Sequence, residues 1–347
     1  MTQQLISFLD TATLPNEEML DAMRGAELGD DVYGQDPTMP RLEAMTAELL
    51  GKEAAVFVPS GTMANVIALR VHCRSGDEVV TEAESHIVWA EAGGLAAIAG
   101  CMPLLVEGER GVLEAELVEA ALRPNDQHHP RTRLVCVENT HNRAGGTVTG
   151  PESMAALREL CDERGLVLHV DGARLFNASV ALGIPAADLA RDADSVTIAL
   201  SKGLGAPVGS VLAGSEEFVA DARRARKLLG GAMRQVGGLA AAGIVALTDG
   251  LARLGEDHER AAEIAWCLDA LPIVVVDPGA VETNILHVDA TPMGIGGREL
   301  ANGLMERGIH VSPRPTDSIR LVTHRGIGDA EVQRLIEALE EIAAERS

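Results

Sequence analysis

Ala199-Leu200-Ser201-Lys202-Gly203-Leu204-Gly205 is an apolar run that delivers a lysine and then breaks into a loop of small residues. Lysines are scarce here: three occur in 347 residues, and arginines make up the other 26 of the 29 basic side chains. A lysine in an apolar setting gives up its proton more easily, because burial disfavours the ammonium, and the neutral amine is a nucleophile. This is where a Schiff-base lysine belongs. About thirty residues upstream, Leu166-Val167-Leu168-His169-Val170-Asp171-Gly172-Ala173-Arg174 reads as a buried strand ending in a carboxylate and a guanidinium. A carboxylate at the end of an apolar strand is costly to bury without a cationic partner. A protonated pyridine nitrogen is such a partner, and strand-borne Asp171 and Lys202 together point to pyridoxal phosphate (PLP). The plainer reading of Asp171 and Arg174 is a salt bridge within a turn.

Outward from these two strands, short apolar runs alternate with longer amphipathic stretches. The runs Ala54–Pro59, Glu78–Thr81, Met102–Val106, Leu134–Glu138, Val167–Val170, Ser195–Leu200 and Gly209–Ala213 read as strands, and Asn16–Arg24, Thr62–Cys73 and Pro151–Glu163 as helices. That alternation predicts an α/β fold in which helices cover both faces of a mostly parallel seven-stranded sheet. From Gln235 to Leu271 the pattern is helical almost throughout. Strands near Ile273–Val276, Asn284–Val288 and Ile319–Val322 follow, with helices near Gly297–Arg307 and Asp329–Ala344. We expect an N-terminal arm and large cofactor-binding domain over residues 1–250, and a small C-terminal α+β domain over residues 251–347.

The bulk properties exclude several functions. A net charge of −23 sets the mean surface against phosphate backbones, so no nucleic-acid partner is expected. The basic run Arg223-Arg224-Ala225-Arg226-Lys227 reads as one solvated or subunit-facing helix face. No stretch approaches the roughly 20 apolar residues of a membrane span. Met1–Asp10 lacks the basic start and apolar core of a signal peptide, so the expected location is cytoplasmic. The five cysteines form no CxxC pair and no zinc-like cluster, which implies reduced and mostly buried thiols and no metal site.

Val58-Pro59-Ser60-Gly61-Thr62-Met63-Ala64-Asn65 leaves a strand, passes a glycine and enters a helix. Such a turn aims backbone N–H groups and the hydroxyls of Ser60 and Thr62 at one point, with the helix dipole behind them, and can cradle a phosphate. Ser-Gly-Thr is also an ordinary N-cap. His86 follows the second strand and can stack on a cofactor ring. His128 and His129 sit in a polar loop ending at Pro130, where solvent exposure is the plainer reading.

Taken together, Gly29-Asp30-Asp31-Val32-Tyr33-Gly34, Glu138-Asn139-Thr140-His141-Asn142, His169–Arg174, Ser201–Ser210, Gly231-Ala232-Met233-Arg234-Gln235 and Ile319-Arg320-Leu321-Val322-Thr323-His324 resemble the L-threonine aldolases, in the family's order and over nearly the whole chain. The resemblance implies a fold-type-I PLP enzyme of the aspartate aminotransferase superfamily, a homotetramer with active sites at a subunit interface. It implies that Lys202 holds the cofactor as a Schiff base, that Asp171 pairs with the pyridinium, and that His86 stacks on the ring. Ser60, Gly61, Thr62 and Ser201 would touch the phosphate, with Arg234 arriving from a neighbouring subunit. Arg174 and Arg320 would grip the substrate carboxylate, Tyr33 would come from the partner, and His128 would reach the β-hydroxyl. One departure stands out. Many members read Ser-Asp-Thr-x-Thr where this chain has Leu9-Asp10-Thr11-Ala12-Thr13, so a carboxylate contact worth roughly 1–3 kcal/mol is lost or supplied elsewhere.

The reaction implied is retro-aldol cleavage of L-threonine, L-allo-threonine or another L-3-hydroxy amino acid to glycine and an aldehyde. His86, His128 or a water is the base. The alternative, motivated by Leu9, is a related PLP enzyme with altered reaction choice: a β-eliminating lyase, a racemase or a transaldolase.

Overall fold

The computed structural model describes residues 5–346. The first four residues of the expected arm, part of the stretch read for a signal peptide, lie outside the described residues. Twelve strands form among those described: β1 (Ile6–Ser7), β2 (Ala54–Val58), β3 (Glu78–Glu82), β4 (Met102–Val106), β5 (Thr132–Glu138), β6 (Val167–Asp171), β7 (Ser195–Ala199), β8 (Ser210–Gly214), β9 (Ile285–Asp289), β10 (Ile309–His310), β11 (Ser312–Pro313) and β12 (Ser318–Val322).

The sheet expected from the apolar runs is present, in the order β2-β8-β7-β6-β5-β3-β4. Strands β4, β3, β5, β6 and β7 are parallel, and β8 runs antiparallel to β7 and β2. Apart from the edge strand β4, whose residues are mostly exposed, both faces are buried, which is why these strands read as apolar runs rather than as alternating ones. On one face Val56, Val58 and Leu212 pack under the helix Gly61–His72. On the other, Val135, Val137, Leu168 and Val170 pack with Met154, Leu157 and Leu160 of the helix Pro151–Arg164.

The topology also sets the lysine loop. Because β8 returns antiparallel right after β7, residues 200–209 form a closed loop, with Leu200 N–H donating to the Gly209 carbonyl at 3.0 Å and Gly205 N–H to the Lys202 carbonyl at 2.8 Å. Gly209 has φ +107°, and a Cβ there would lie 2.3 Å from the Phe57 ring, so only glycine closes the turn.

The C-terminal residues build a three-stranded antiparallel sheet, β11-β12-β9, with the helices Gly297–Glu306 and Asp329–Ala344. The N-terminal arm joins them. Strand β1 pairs in parallel with β10, and Phe8 is fully buried among Ile264, Leu286 and Ile319. The arm thus packs with the C-terminal residues, although the expected division at 250/251 groups it with the large sheet.

Three local expectations are corrected. Ile273–Val276 is not a strand. Pro272 lacks an N–H, the Asp277-Pro278 turn closes the segment, and only Val275 bridges, to Asp289. The helical stretch 235–271 is two pieces, Gly237–Gly250 and Leu254–Asp269, bent by 60°. The first piece is pinned where Gly250 meets the Leu204 carbonyl, 2.6 Å from where a Cβ would stand. The basic stripe on the helix Glu216–Leu228 is partly internal. Arg226 is buried, donating to the Phe57 carbonyl at 2.8 Å, and Arg223 pairs with Glu43, while Arg224 and Lys227 face solvent. Four cysteines are buried and Cys267 is exposed. Among the described residues no single helix is long and apolar enough to cross a membrane.

Candidate active site

The carboxyl ends of β5, β6 and β7 bring Glu138, Asp171 and the Lys202 loop to one edge of the sheet, where open α/β sheets bind ligands. A cavity of about 300 Å³ opens there, lined by Thr11, His86, Trp89, Asn142, Arg174, Lys202 and Arg320 among others. A larger one of about 620 Å³ lies behind the arm, against His324 and Arg325. It holds neither the lysine nor a buried carboxylate, so the chemistry belongs to the smaller cavity.

Burial, reinforced by the Arg174 charge, pulls the Lys202 pKa below that of an ordinary lysine, although Asp10 and Asp171 oppose the shift. Thr13 holds the loop in place, its hydroxyl donating to the Lys202 carbonyl at 2.8 Å.

Asp171 is 3% exposed and accepts from Asn65 Nδ2 at 2.8 Å and from the Ala173 N–H at 3.2 Å. Among the described residues it forms no ion pair, so the turn salt bridge with Arg174 is not made. Arg174 turns instead to Asp10, through Nε at 2.7 Å and Nη2 at 2.8 Å. This bidentate pair is buried on both sides. Burial works against the Asp10 charge, but Arg174 outweighs it and holds the carboxyl below its usual range.

Arg320, on β12, has no acidic partner among the described residues. Its Nη1 donates to Asn142 Oδ1 at 2.5 Å, the oxygen that Arg174 Nη1 also approaches at 3.3 Å, and its Nε is buried without a partner. Burial and the neighbouring Arg174 charge lower its pKa to about 10, which leaves it cationic at neutral pH.

His86 opens the short helix His86–Trp89, its backbone N–H bound to Glu138 Oε2 at 2.6 Å and its Nδ1 to Glu91 Oε1 at 2.8 Å. Burial pulls the His86 pKa down, and the Glu91 hydrogen bond together with the Asp171 and Glu91 charges more than restores it. Asn65 Nδ2 also donates to Glu91 at 2.8 Å, so one amide fixes the two carboxylates that face the ring site. The ligand atoms of His86, Glu91 and Asp171 lie within 4.8 Å of one another. Hydrogen bonds already engage His86 Nδ1, one oxygen of Glu91 and both oxygens of Asp171.

Ser60 caps the helix Gly61–His72 by accepting from the Met63 N–H at 3.2 Å, and Gly61 and Thr62 form its first turn. A Cβ on Gly61 would stand 3.5 Å from Ser210 Oγ, a buried hydroxyl without a partner. Ser201 lies half-buried beside Lys202.

Three expected residues are not in this pocket. His128 is exposed in the loop before β5 and bonds through its backbone to Asp126 at 2.8 Å. That is the opposite end of the strand from Glu138, about 20 Å away at 3.3 Å per residue. Within one chain it cannot reach the substrate. Arg234 and Tyr33 sit together on the surface, the guanidinium 5.7 Å from the ring centroid and bonded to Asp30. Leu9 is half-buried and does not line the cavity, where Thr11 does.

Close to a lysine of lowered pKa the site thus offers a buried carboxylate and a guanidinium, neither with a counter-ion among the described residues, and a capped helix N-terminus. A PLP ring nitrogen fits the first, a substrate carboxylate the second, and a phosphate the helix end.

Known proteins agree. Residues 4–291 match the beta-eliminating lyase family. The chain is 47% identical to a probable low-specificity L-threonine aldolase 2 of Arabidopsis thaliana over 96% of its own length and 95% of that protein. It is 44% identical to the low specificity L-threonine aldolase of Escherichia coli K12, over 96% of each. The chain belongs to the low-specificity L-threonine aldolase family. At 24% identity, the threonine aldolase structure from Leishmania major shares the fold with a TM-score of 0.81, covering 97% of this chain and 99% of that one. Fold type I, as the motifs imply, is the architecture of this aldolase-family chain.

Reading the sequence for motifs missed what holds the site in place: Asp10, Asn65, Glu91, Glu138 and Asn142. Two of them carried a signal: Asp10 is the lone charged residue in Leu5–Asn16, and Asn65 is the lone amide in the apolar helix stretch Ala64–Leu69.

Proposed function

We propose that this chain is a PLP-dependent L-threonine aldolase that cleaves L-threonine, L-allo-threonine and other L-3-hydroxy amino acids to glycine and an aldehyde. The observation that carries the reading is a pair of charges without ion-pair partners among the described residues: Arg320, which lines one cavity with Lys202, and buried Asp171, whose charge acts on the same lysine.

PLP, held by Lys202, supplies an electron sink for the pair released when Cα–Cβ breaks. Asp171, fixed by Asn65, keeps the ring nitrogen protonated. His86 would cover the ring, and the first turn of the helix Gly61–His72 with Ser201 would hold the phosphate. Arg320 and Arg174 grip the substrate carboxylate, and because Asp10 and Asn142 fix both guanidiniums, that grip orients the scissile bond. Glu91 accepts the Nδ1 proton of His86, which leaves Nε2 as the acceptor for the β-hydroxyl proton. The Lys202 amine, of lowered pKa, then carries the proton that Cα takes up.

Tyr33 and Arg234 share one exposed patch, which supports a homotetramer in which each subunit completes a neighbour's site. His128 reaches a substrate only from another chain, and we assign it that position. The cytoplasm is the location that fits. We keep residues 1–250 and 251–347 as the two domains, with the arm clasped to the second.

Absorbance and product analysis test the reading. The purified protein should bind PLP with the absorbance of a lysine Schiff base and release acetaldehyde and glycine in equal amounts from L-threonine. Ammonia and a keto acid in place of aldehyde would overturn it. Arg234→Ala should lower PLP affinity while leaving turnover at saturating PLP nearly intact.

A further inference from the structure

Next to the substrate cavity lies a second one, of about 250 Å³, and Arg143 lines both. The far cavity is bounded by Glu82, Glu84, His141, His287 and Arg314 among others. Its charges are paired with one exception. Arg143 is bound to Glu84 at 2.8 Å and lies 4.5 Å from the Trp89 ring centroid, and His141 is bound to Glu82 at 2.8 Å. Arg110, at the rim, is bound to Glu282 at 2.8 Å.

Arg314 has no acidic partner among the described residues. It sits half-buried on the turn between β11 and β12, the strand that carries Arg320. Its Nη1 donates to the Arg143 carbonyl and to His287 Nε2 at 2.5 Å. Burial together with the Arg314 charge keeps His287 neutral at physiological pH, so the imidazole offers a lone pair and no compensating charge. A half-buried guanidinium held by a carbonyl and a neutral ring retains donors for an anion.

We propose that Arg314 forms an anion subsite for the aldehyde half of the substrate, so that the enzyme favours L-3-hydroxy amino acids whose β-substituent ends in a carboxylate. This rests on the aldolase reading and names the substrate class for that same site. Arg174 and Arg320 take the α-carboxylate, the substituent passes Trp89 and Arg143, and its terminal carboxylate meets Arg314. Cleavage is then the ordinary one: Cα–Cβ breaks, the β-hydroxyl proton leaves, Cα gains a proton, and the products are glycine and an aldehyde bearing a carboxylate.

The test runs the holoenzyme in the aldol direction with glycine and three aldehydes: acetaldehyde, 4-oxobutanoate, and 4-methylpentanal as the uncharged isostere of 4-oxobutanoate. The wild type should prefer 4-oxobutanoate over the isostere by about tenfold in kcat/KM, the value of one hydrogen bond to a charged group. Arg314→Gln should erase that preference mainly through KM and leave acetaldehyde turnover within about threefold, and Arg314→Lys should restore part of it. Equal use of the two longer aldehydes by the wild type, or an undiminished preference in Arg314→Gln, overturns the proposal. If acetaldehyde itself is not turned over, the aldolase reading fails instead.

Discussion

Replacing Asp10 with asparagine removes a charge from the most buried ion pair of the site and keeps its shape. Asp10 is 1% exposed and Arg174 6%, and two hydrogen bonds join them at 2.7 and 2.8 Å. Loss of one partner leaves Arg174 buried without its counter-charge, which typically costs about 3–5 kcal/mol. The amide oxygen still accepts one of the two bonds, so the expected loss is near the lower figure, about 3 kcal/mol. The pH dependence follows from the depressed Asp10 pKa. The pair contributes its full stability above the unfolded carboxyl value of 3.8 and loses it as pH falls through the lower folded value. The gap between wild type and Asp10→Asn should therefore be constant from pH 7 to pH 5 and begin to narrow below about pH 4. Urea denaturation followed by circular dichroism and by tryptophan fluorescence, at one fixed PLP concentration, measures it wherever the two transitions coincide. A double variant, Asp10→Leu with Arg174→Met, should be less destabilised than Asp10→Asn, because it buries no unpaired charge. A loss below about 1 kcal/mol in the single variant, or a gap as wide at pH 3 as at pH 5, would refute this account.

Lys202→Ala should abolish the Schiff-base absorbance and reduce turnover by several orders of magnitude, and normal turnover in that variant would remove Lys202 from the chemistry. Glu91→Gln removes the contact that raises the His86 pKa, so the imidazole stays neutral to lower pH. The acid limb of the kcat profile should then move to lower pH, and an unmoved limb would mean that His86 is not the base. Arg320→Lys keeps the charge without the planar fork, and KM for L-threonine should rise about tenfold or more with a smaller change in kcat. Asn65→Ala frees both Asp171 and Glu91 from their shared donor. PLP retention on dialysis should weaken by about tenfold, corresponding to roughly 1.4 kcal/mol for a buried hydrogen bond to a charged group.

How much was legible in the sequence follows from what each residue answers to. The seven strands of the large sheet were readable to within two residues, six of them because both faces of the sheet are buried there and strand and apolar run coincide, while the exposed edge strand β4 was readable from its apolar composition alone. Lys202 and Asp171 were readable because a charged residue closing an apolar run has few structural explanations. The bend at residues 250–254 was not, because Gly250 answers to the distant Leu204 carbonyl, a contact with no local pattern. Ile273–Val276 looked like a strand by composition, but a strand needs a partner edge and this one has a single bridge. Arg226 looked solvated because its neighbours in sequence are, while its partners, the Phe57 carbonyl and Asp31, come from other elements. Asp10 escaped for the same reason, since its meaning lies 164 residues away at Arg174.

The arm that carries Asp10 also orders events in time. Ile6 and Phe8 donate to the carbonyls of Gly308 and His310, and the Phe8 carbonyl accepts from Val322. At a synthesis rate of 5–20 residues per second, these opening residues wait roughly 15–60 s for residues 308–322 to be made. Until then only the direct contacts of Asp10 with Arg174 and of Thr13 with the Lys202 carbonyl hold the arm to a sheet that is already complete. The two ends of the polypeptide therefore act as a latch on the lysine loop. A nascent or C-terminally truncated chain has the sheet and the amine without the clasp and without Arg320, which also lies in the last fifth of the molecule.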